Sequence, residues 1–165
     1  MLPEPVPQPI QRSSGAVRRI LLATDLSTAS DGATRQAIDL ARDLGANLVV
    51  VSVIDPAVPG AAGGHIQRMD QRRQARESSA QDVVLRGRRA GVRVSFMVWE
   101  GEPGPSIVDA AVSEQVDMVI VGSHGRGSVG RLFIGSVSEF VVRNSPCPVL
   151  VVRGSPQATS ERRLG

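Results

Sequence analysis

The sequence predicts an α/β fold, a single parallel sheet with helices on both faces. Short apolar runs rich in Val, Ile and Leu recur at residues 20–23, 47–54, 116–121 and 148–152, with an alternating stretch over 92–98. Segments of helical spacing or helix-prone composition separate each run from the next. The run over 47–54 is apolar almost throughout rather than alternating, the pattern of a strand covered on both faces. Strands that take turns with helices imply parallel pairing through right-handed crossovers.

Each element has its own signals. Residues 20–23 (Ile-Leu-Leu-Ala) form a short buried strand ending at Thr24 and Asp25. Ser27 and Thr28 offer N-cap hydroxyls, and Ala33, Ala37, Ile38, Ala41 and Leu44 then share one helical face. Gly45 suits the C′ position, where a left-handed conformation stops the helix. Residues 47–54 are the second strand. Residues 55–64, rich in Pro, Gly and Ala, read as a mobile loop. The long charged segment 66–90 has a thin apolar stripe, which predicts a surface helix whose arginines, from Arg68 to Arg93, form a solvated face. Val92, Val94, Phe96 and Val98 alternate as the third strand, which ends at Trp99 and Glu100. A short helix over 105–115 carries Ile107, Val108, Ala111 and Val112. A strand over 116–121, a helix over 135–144 and a strand over 148–152 complete the set. Flanking them are a proline-rich disordered arm, residues 1–16, and a polar tail, residues 154–165, so the folded domain is expected over 17–153.

Composition narrows the chemistry. A chain of 165 residues suits one domain with a sizeable core. All 19 basic residues are arginine, which excludes a GxxxxGK[ST] phosphate loop and any lysine Schiff base. A net charge of +3, with Phe96, Trp99, Phe133 and Phe140 as the aromatics and no basic patch among them, argues against nucleic acid as a partner. Cys147 has no second cysteine to pair with; between two prolines it reads as a small buried apolar residue. With no apolar signal core and no run of membrane-spanning length, cytoplasmic residence and no membrane partner are expected.

The strongest chemical signal is the spacing Gly-x2-Gly-x9-Gly-Ser, met by Gly122, Gly125, Gly135 and Ser136. An apolar strand enters it and a helix leaves it. Glycines admit backbone N–H groups close to an anion, and a small hydroxyl residue at the helix start adds a donor beside the positive end of the dipole. This is the layout of a phosphate-binding turn. In parallel sheets ligands gather at the carboxyl ends of strands, where Asp25, Val53 and the glycine turn all fall. His124, within the turn, has no partner of catalytic-triad type and reads as a packing or hydrogen-bonding residue. Arg126 and Arg131 either screen phosphate charge or are solvated, and His65 has no second metal ligand near it in sequence.

At these residues the chain resembles the universal stress protein family. The resemblance spans roughly residues 18–153 and includes Ala23-Thr24-Asp25, Val53-Ile54-Asp55, Gly101-Glu102-Pro103 and the closing Ser-Pro-Cys-Pro-Val-Leu-Val-Val of 145–152. In that family the glycine motif marks the ATP-binding members. The resemblance implies an open parallel five-stranded sheet of the adenine nucleotide alpha-hydrolase-like type, commonly a homodimer paired through the last strand, Pro148 to Val152. It places adenine near Ala23, Thr24, Asp25 and the Val53 backbone. Ribose and phosphates then lie along Gly122, Ser123, His124 and Gly125, with phosphate contacts from Gly135, Ser136, Val137 and Ser138. Asp25 can accept from an adenine amino group or a ribose hydroxyl, or it can cap the first helix instead. Ser136 and Ser138 can donate to phosphate oxygens.

With no evident nucleophile, general base or carboxylate pair, the chain reads as an ATP-binding regulatory and stress-response module that alters a surface for an unidentified protein partner. The alternative is a slow ATPase using Asp25 and a divalent cation, Mg or Mn, near Ser136. A phospho-acceptor receiver domain is excluded by the missing lysine and by a third strand that ends in Trp99 and Glu100.

Overall fold

A computed structural model describes residues 15–58, 64–123 and 135–154. Along the chain run β1 (Arg19–Ala23), α1 (Asp31–Leu44), β2 (Asn47–Ile54), α2 (His65–Arg89), β3 (Val94–Glu100), α3 (Pro103–Ser113), β4 (Met118–Gly122), α4 (Ser136–Asn144) and β5 (Val149–Val152). The five strands form one sheet in the order β3-β2-β1-β4-β5, every pair parallel. The α/β fold with a single five-stranded parallel sheet is therefore as expected. From β1 the chain builds outward to β2 and β3, then returns to β1's other side for β4 and β5. The order of strands thus reverses between β1 and β4, the switch point at whose carboxyl ends ligands gather in sheets of this kind.

The core has two layers because both faces of the sheet are covered. Ile20, Leu22, Leu48, Val50 and Ile120 pack against Ala33, Ala37, Ile38 and Ala41 of α1 and Val83 of α2. Leu21, Val49, Val51, Val119 and Val121 pack on the other face against Ile107, Ala110 and Ala111 of α3 and Val141 of α4. Consecutive residues Ile20, Leu21 and Leu22 are all fully buried, which explains why the central strand is apolar without alternation. The β1–β4 pairing is anchored at its entry by Asp117, whose Oδ2 accepts the N–H groups of Arg18 at 2.8 Å and Arg19 at 2.9 Å.

Several boundaries differ from the sequence expectation for local reasons. A 3-10 turn, Thr28–Ser30, precedes α1, and neither Ser27 nor Ser30 caps the helix through its side chain. Leu44, the last residue of α1, is 46 % exposed rather than part of the buried face. Gly45 does stop α1, in the left-handed region at φ 64°. β3 starts at Val94 because the Val92 N–H is turned back to the Gly87 carbonyl, 2.9 Å away, closing the end of α2. α3 starts at Pro103, whose fixed φ suits a first helical turn. His65 opens α2 instead of lying in the loop before it. Cys147 is only half-buried, with its N–H donating to Ser145 Oγ at 3.3 Å. The arm over 1–16 and the tail over 154–165 fall almost wholly outside the described residues, as do residues 59–63 and 124–134.

Candidate functional site

The register of β1 with its two neighbours assembles the site. Ala23 is level with Val51 of β2 and Val121 of β4. Two positions further on stand Asp25, Val53 and Ser123, on three adjacent strand ends. Residues 28 and 98 positions apart in sequence from Asp25 thus share one edge of the sheet, as the strand-end argument anticipates.

Beyond β1 the chain makes a tight turn built from small polar side chains. Buried Thr24 accepts the Leu26 N–H on its Oγ1 at 3.0 Å and donates to Ser30 Oγ at 2.9 Å. Asp25 Oδ1 accepts the Ser27 N–H at 2.9 Å, and Ser30 Oγ lies 2.9 Å from the same oxygen. Leu26 adopts a left-handed φ of 60°, unusual without a glycine. Asp25 therefore anchors the turn that leads into α1, which is close to the capping role considered from sequence. Burial pushes its carboxyl up, but hydrogen bonds from Ser27 and Ser30 and the charge of Arg76 outweigh this, leaving it below the ordinary carboxylate value. At neutral pH it is an acceptor-only carboxylate.

At the other wall, the Ser123 N–H donates to the Val152 carbonyl of β5 at 2.8 Å, and the Gly135 N–H donates to the Ser123 carbonyl at 2.8 Å. This seats the N-terminus of α4 directly on the end of β4. A Cβ on Gly135 would lie 3.3 Å from the Ser123 carbonyl oxygen, so the close approach depends on glycine there. Ser138 Oγ donates to the Gly122 carbonyl at 2.5 Å. Its proton is thus spent on tying α4 to the strand rather than pointing outward, unlike the donor role considered for it from sequence. Ser136 and Val137 are exposed in the first turn, and among the described residues no side chain caps that helix end. Ser123 Oγ is buried with no hydrogen-bond partner among the described residues. His124 and Gly125, with Arg126 and Arg131, lie outside the described residues.

Arg88 and Arg89 are exposed as expected of a solvated face, but four other arginines of α2 reach neighbouring elements. Arg76 Nη1 donates to the Asp25 carbonyl and to Ser52 Oγ, the latter at 2.9 Å. Arg72 Nη1 donates to the Asp55 carbonyl at 3.0 Å. Arg73 reaches the Val98 carbonyl at 3.2 Å and Glu100 at 2.7 Å. Arg86 meets Asp31, at the start of α1, at 2.6 Å. A signal for this was present: Met69, Ala80, Val83 and Gly87 form the buried stripe of α2, and Arg72, Arg73 and Arg76 occupy the helical positions that would continue it. Arginine stems can cover apolar surface while their heads reach polar strand ends.

Chemically, the edge offers an ionised acceptor and strand backbone at one end. At the other it offers a buried hydroxyl and a positive helix terminus, neither of which is partnered by a described side chain. An anion at the helix end and hydrogen-bond donors at the carboxylate end would satisfy both. Among the described residues no three His, Cys, Asp or Glu side chains gather as a metal site, and no helix is long and apolar enough to cross a membrane.

Comparison with known proteins agrees with this architecture. A universal stress protein of Thermus aquaticus is 35 % identical over 138 residues, covering 82 % of this chain and 98 % of that protein. The structure of a universal stress protein from Lactobacillus plantarum superposes with a TM-score of 0.70 at 24 % identity, covering 85 % of this chain and all of that one. Two other similar structures are a universal stress protein in complex with cAMP (TM-score 0.64, 22 % identity, 86 % and 100 % covered) and one from Archaeoglobus fulgidus in complex with dAMP (TM-score 0.59, 21 % identity, 83 % and 98 % covered). The profile of the universal stress protein family matches residues 16–153, which takes in all five strands and all four α-helices. On that match, and on the identity with the Thermus protein, the chain belongs to the universal stress protein family.

Proposed function

We propose that the chain is an ATP-binding universal stress protein, a regulatory module of the stress response in the cytoplasm that signals to a protein partner rather than a fast enzyme. The observation that carries the proposal is the buried Ser123 hydroxyl, without a hydrogen-bond partner among the described residues, beside the N-terminus of α4, which no described side chain caps, on the same sheet edge as Asp25 and Val53. An orphaned buried hydroxyl costs stability unless something satisfies it. A nucleoside phosphate does so, while its phosphates meet the helix dipole and the N–H groups of Ser136 and Val137, with Gly135 seating the helix end on Ser123. Gly122 and Gly125 lend close backbone approach, and Ser138 holds Gly122 in place. The base lies towards Ala23, Thr24, Asp25 and the Val53 backbone. Similar proteins that bind cAMP and dAMP support an adenine nucleotide as the ligand class.

Slow hydrolysis with Mg or Mn is the second reading. Asp25 does not favour it, because its Oδ1 already serves the turn after β1. A homodimer joined along β5 belongs to the same proposal, since β5 is an edge strand with Leu150 37 % exposed.

The test is calorimetry of ligand-cleared protein with ATP, with and without Mg²⁺ or Mn²⁺. Wild type is expected to bind, Ser123→Ala to weaken binding roughly fivefold, the worth of one hydrogen bond, and Gly135→Val to abolish it. Wild-type protein that takes up no ATP would overturn the proposal.

A further inference from the structure

We infer that Arg76 is a positioning residue for the base end of the site, stapling together the two strand ends that carry Asp25 and Val53; the inference rests on the nucleotide-binding proposal above. The observation behind it is where one guanidinium nitrogen goes. Arg76 Nη1 donates to the Asp25 carbonyl, just past β1, and to Ser52 Oγ on β2, 2.9 Å away. Ser52 is 2 % exposed and immediately precedes Val53. Past the bond from Thr24 N–H to the Val51 carbonyl, at 3.0 Å, the Arg76 guanidinium links the Asp25 backbone to β2. The next residue, Leu26, is in a left-handed conformation that is costly for a branched side chain and has to be held by its surroundings.

The two N–H groups on Nη1 lie at fixed angles in the guanidinium plane, so one nitrogen serves both acceptors with directions that a freely rotating ammonium does not hold. Both acceptors named for Arg76 belong to the strand ends that carry Asp25 and Val53, so its effect is expected on the nucleoside part of a ligand. Arg73, one turn earlier on the same helix, supplies a matched control: it ties α2 to β3 through Val98 and Glu100, away from Asp25.

The experiment uses the full chain, cleared of ligand, as wild type, Arg76→Gln, Arg76→Lys and Arg73→Gln. Affinities for ATP and for adenosine are measured together with amide hydrogen exchange at Leu26 and Ser27 and the Tm of each variant. Losing a hydrogen bond from a charged donor should weaken both ligands about tenfold in Arg76→Gln, with partial recovery in Arg76→Lys. Arg73→Gln should leave both affinities near wild type even where its Tm falls as far. A loss confined to ATP would overturn the inference, since it would mean that Arg76 attracts phosphate. Wild-type affinity in Arg76→Gln, or an equal loss in Arg73→Gln, would overturn it as well. Should wild type bind neither ligand, the nucleotide proposal fails, and exchange decides the staple on its own. Faster exchange of the Leu26 and Ser27 amides in Arg76→Gln than in Arg73→Gln supports it, and equal exchange overturns it.

Discussion

Asp25 stands under opposing pressures, and the balance has a measurable consequence. Burial favours its neutral form, while Ser27, Ser30 and Arg76 favour the carboxylate and prevail. A carboxyl whose folded pKa is depressed adds stability above its unfolded pKa, near 3.9, and loses it as pH falls through the lower folded value. Asp25→Asn should therefore be less stable than wild type at pH 7, and the gap should narrow as pH is lowered from about 5 towards 3. Denaturant titrations at stepped pH read this directly, and a gap that stays constant would contradict it. Asp25 was legible in the sequence as a strand-end carboxylate, but its double duty was not. The Ser30 and Arg76 contacts depend on where the 3-10 turn and α2 come to rest.

Helix α2 shows how an element acquires roles that its pattern conceals. Its mean hydropathy is low and its stripe is thin, yet Met69, Ala80, Val83 and Gly87 are buried. Gly87 is small because β3 passes close by: a Cβ there would sit 2.1 Å from Val94 Cγ2. Ordinarily an interior helix glycine gains about 1 kcal/mol on replacement by alanine. Here Gly87→Ala should instead destabilise the fold by roughly 1–3 kcal/mol through overpacking. The double variant Gly87→Ala with Val94→Ala should recover part of that loss in chemical denaturation. Stabilisation of the single variant would show that the α2–β3 contact is loose. The arginines of α2 read as solvent-facing from charge alone, because a helical pattern gives the face but not what lies opposite. Here polar strand ends lie opposite, so charged side chains take positions that apolar ones would otherwise fill.

Across the whole molecule, the order β3-β2-β1-β4-β5 leaves two edges, and they differ. β3 is flanked by α2, with Val94 and Phe96 packed in one layer of the core and Met97 and Trp99 in the other. β5 is four residues long, closes the chain's last paired element and keeps Leu150 37 % exposed. Nearby on α4, Phe140 and Val142 are also exposed, at 37 % and 47 %. An apolar edge of this kind invites strand pairing. The proposed homodimer predicts twice the chain mass by light scattering at micromolar concentration. Leu150→Arg should shift the protein to monomer without loss of secondary structure, and a monomeric wild type would rule the β5 pairing out.

By itself the sequence determined that strands and helices alternate, that the sheet is parallel and covered on both faces, and which strand ends carry polar residues. Those properties are local: the apolar runs, Gly45 and Pro103 act within a few residues of themselves. The three-dimensional structure alone decided that Ala23, Val51 and Val121 stand level, which brings Asp25, Val53 and Ser123 to one edge of the sheet, because strand order and register come from the packing of both layers. It also decided that Ser138 spends its proton on Gly122, that Ser123 keeps a buried hydroxyl without a partner among the described residues, and that Arg76 bridges two strand ends. Each of those is a contact between residues distant in sequence, and only folding sets such distances.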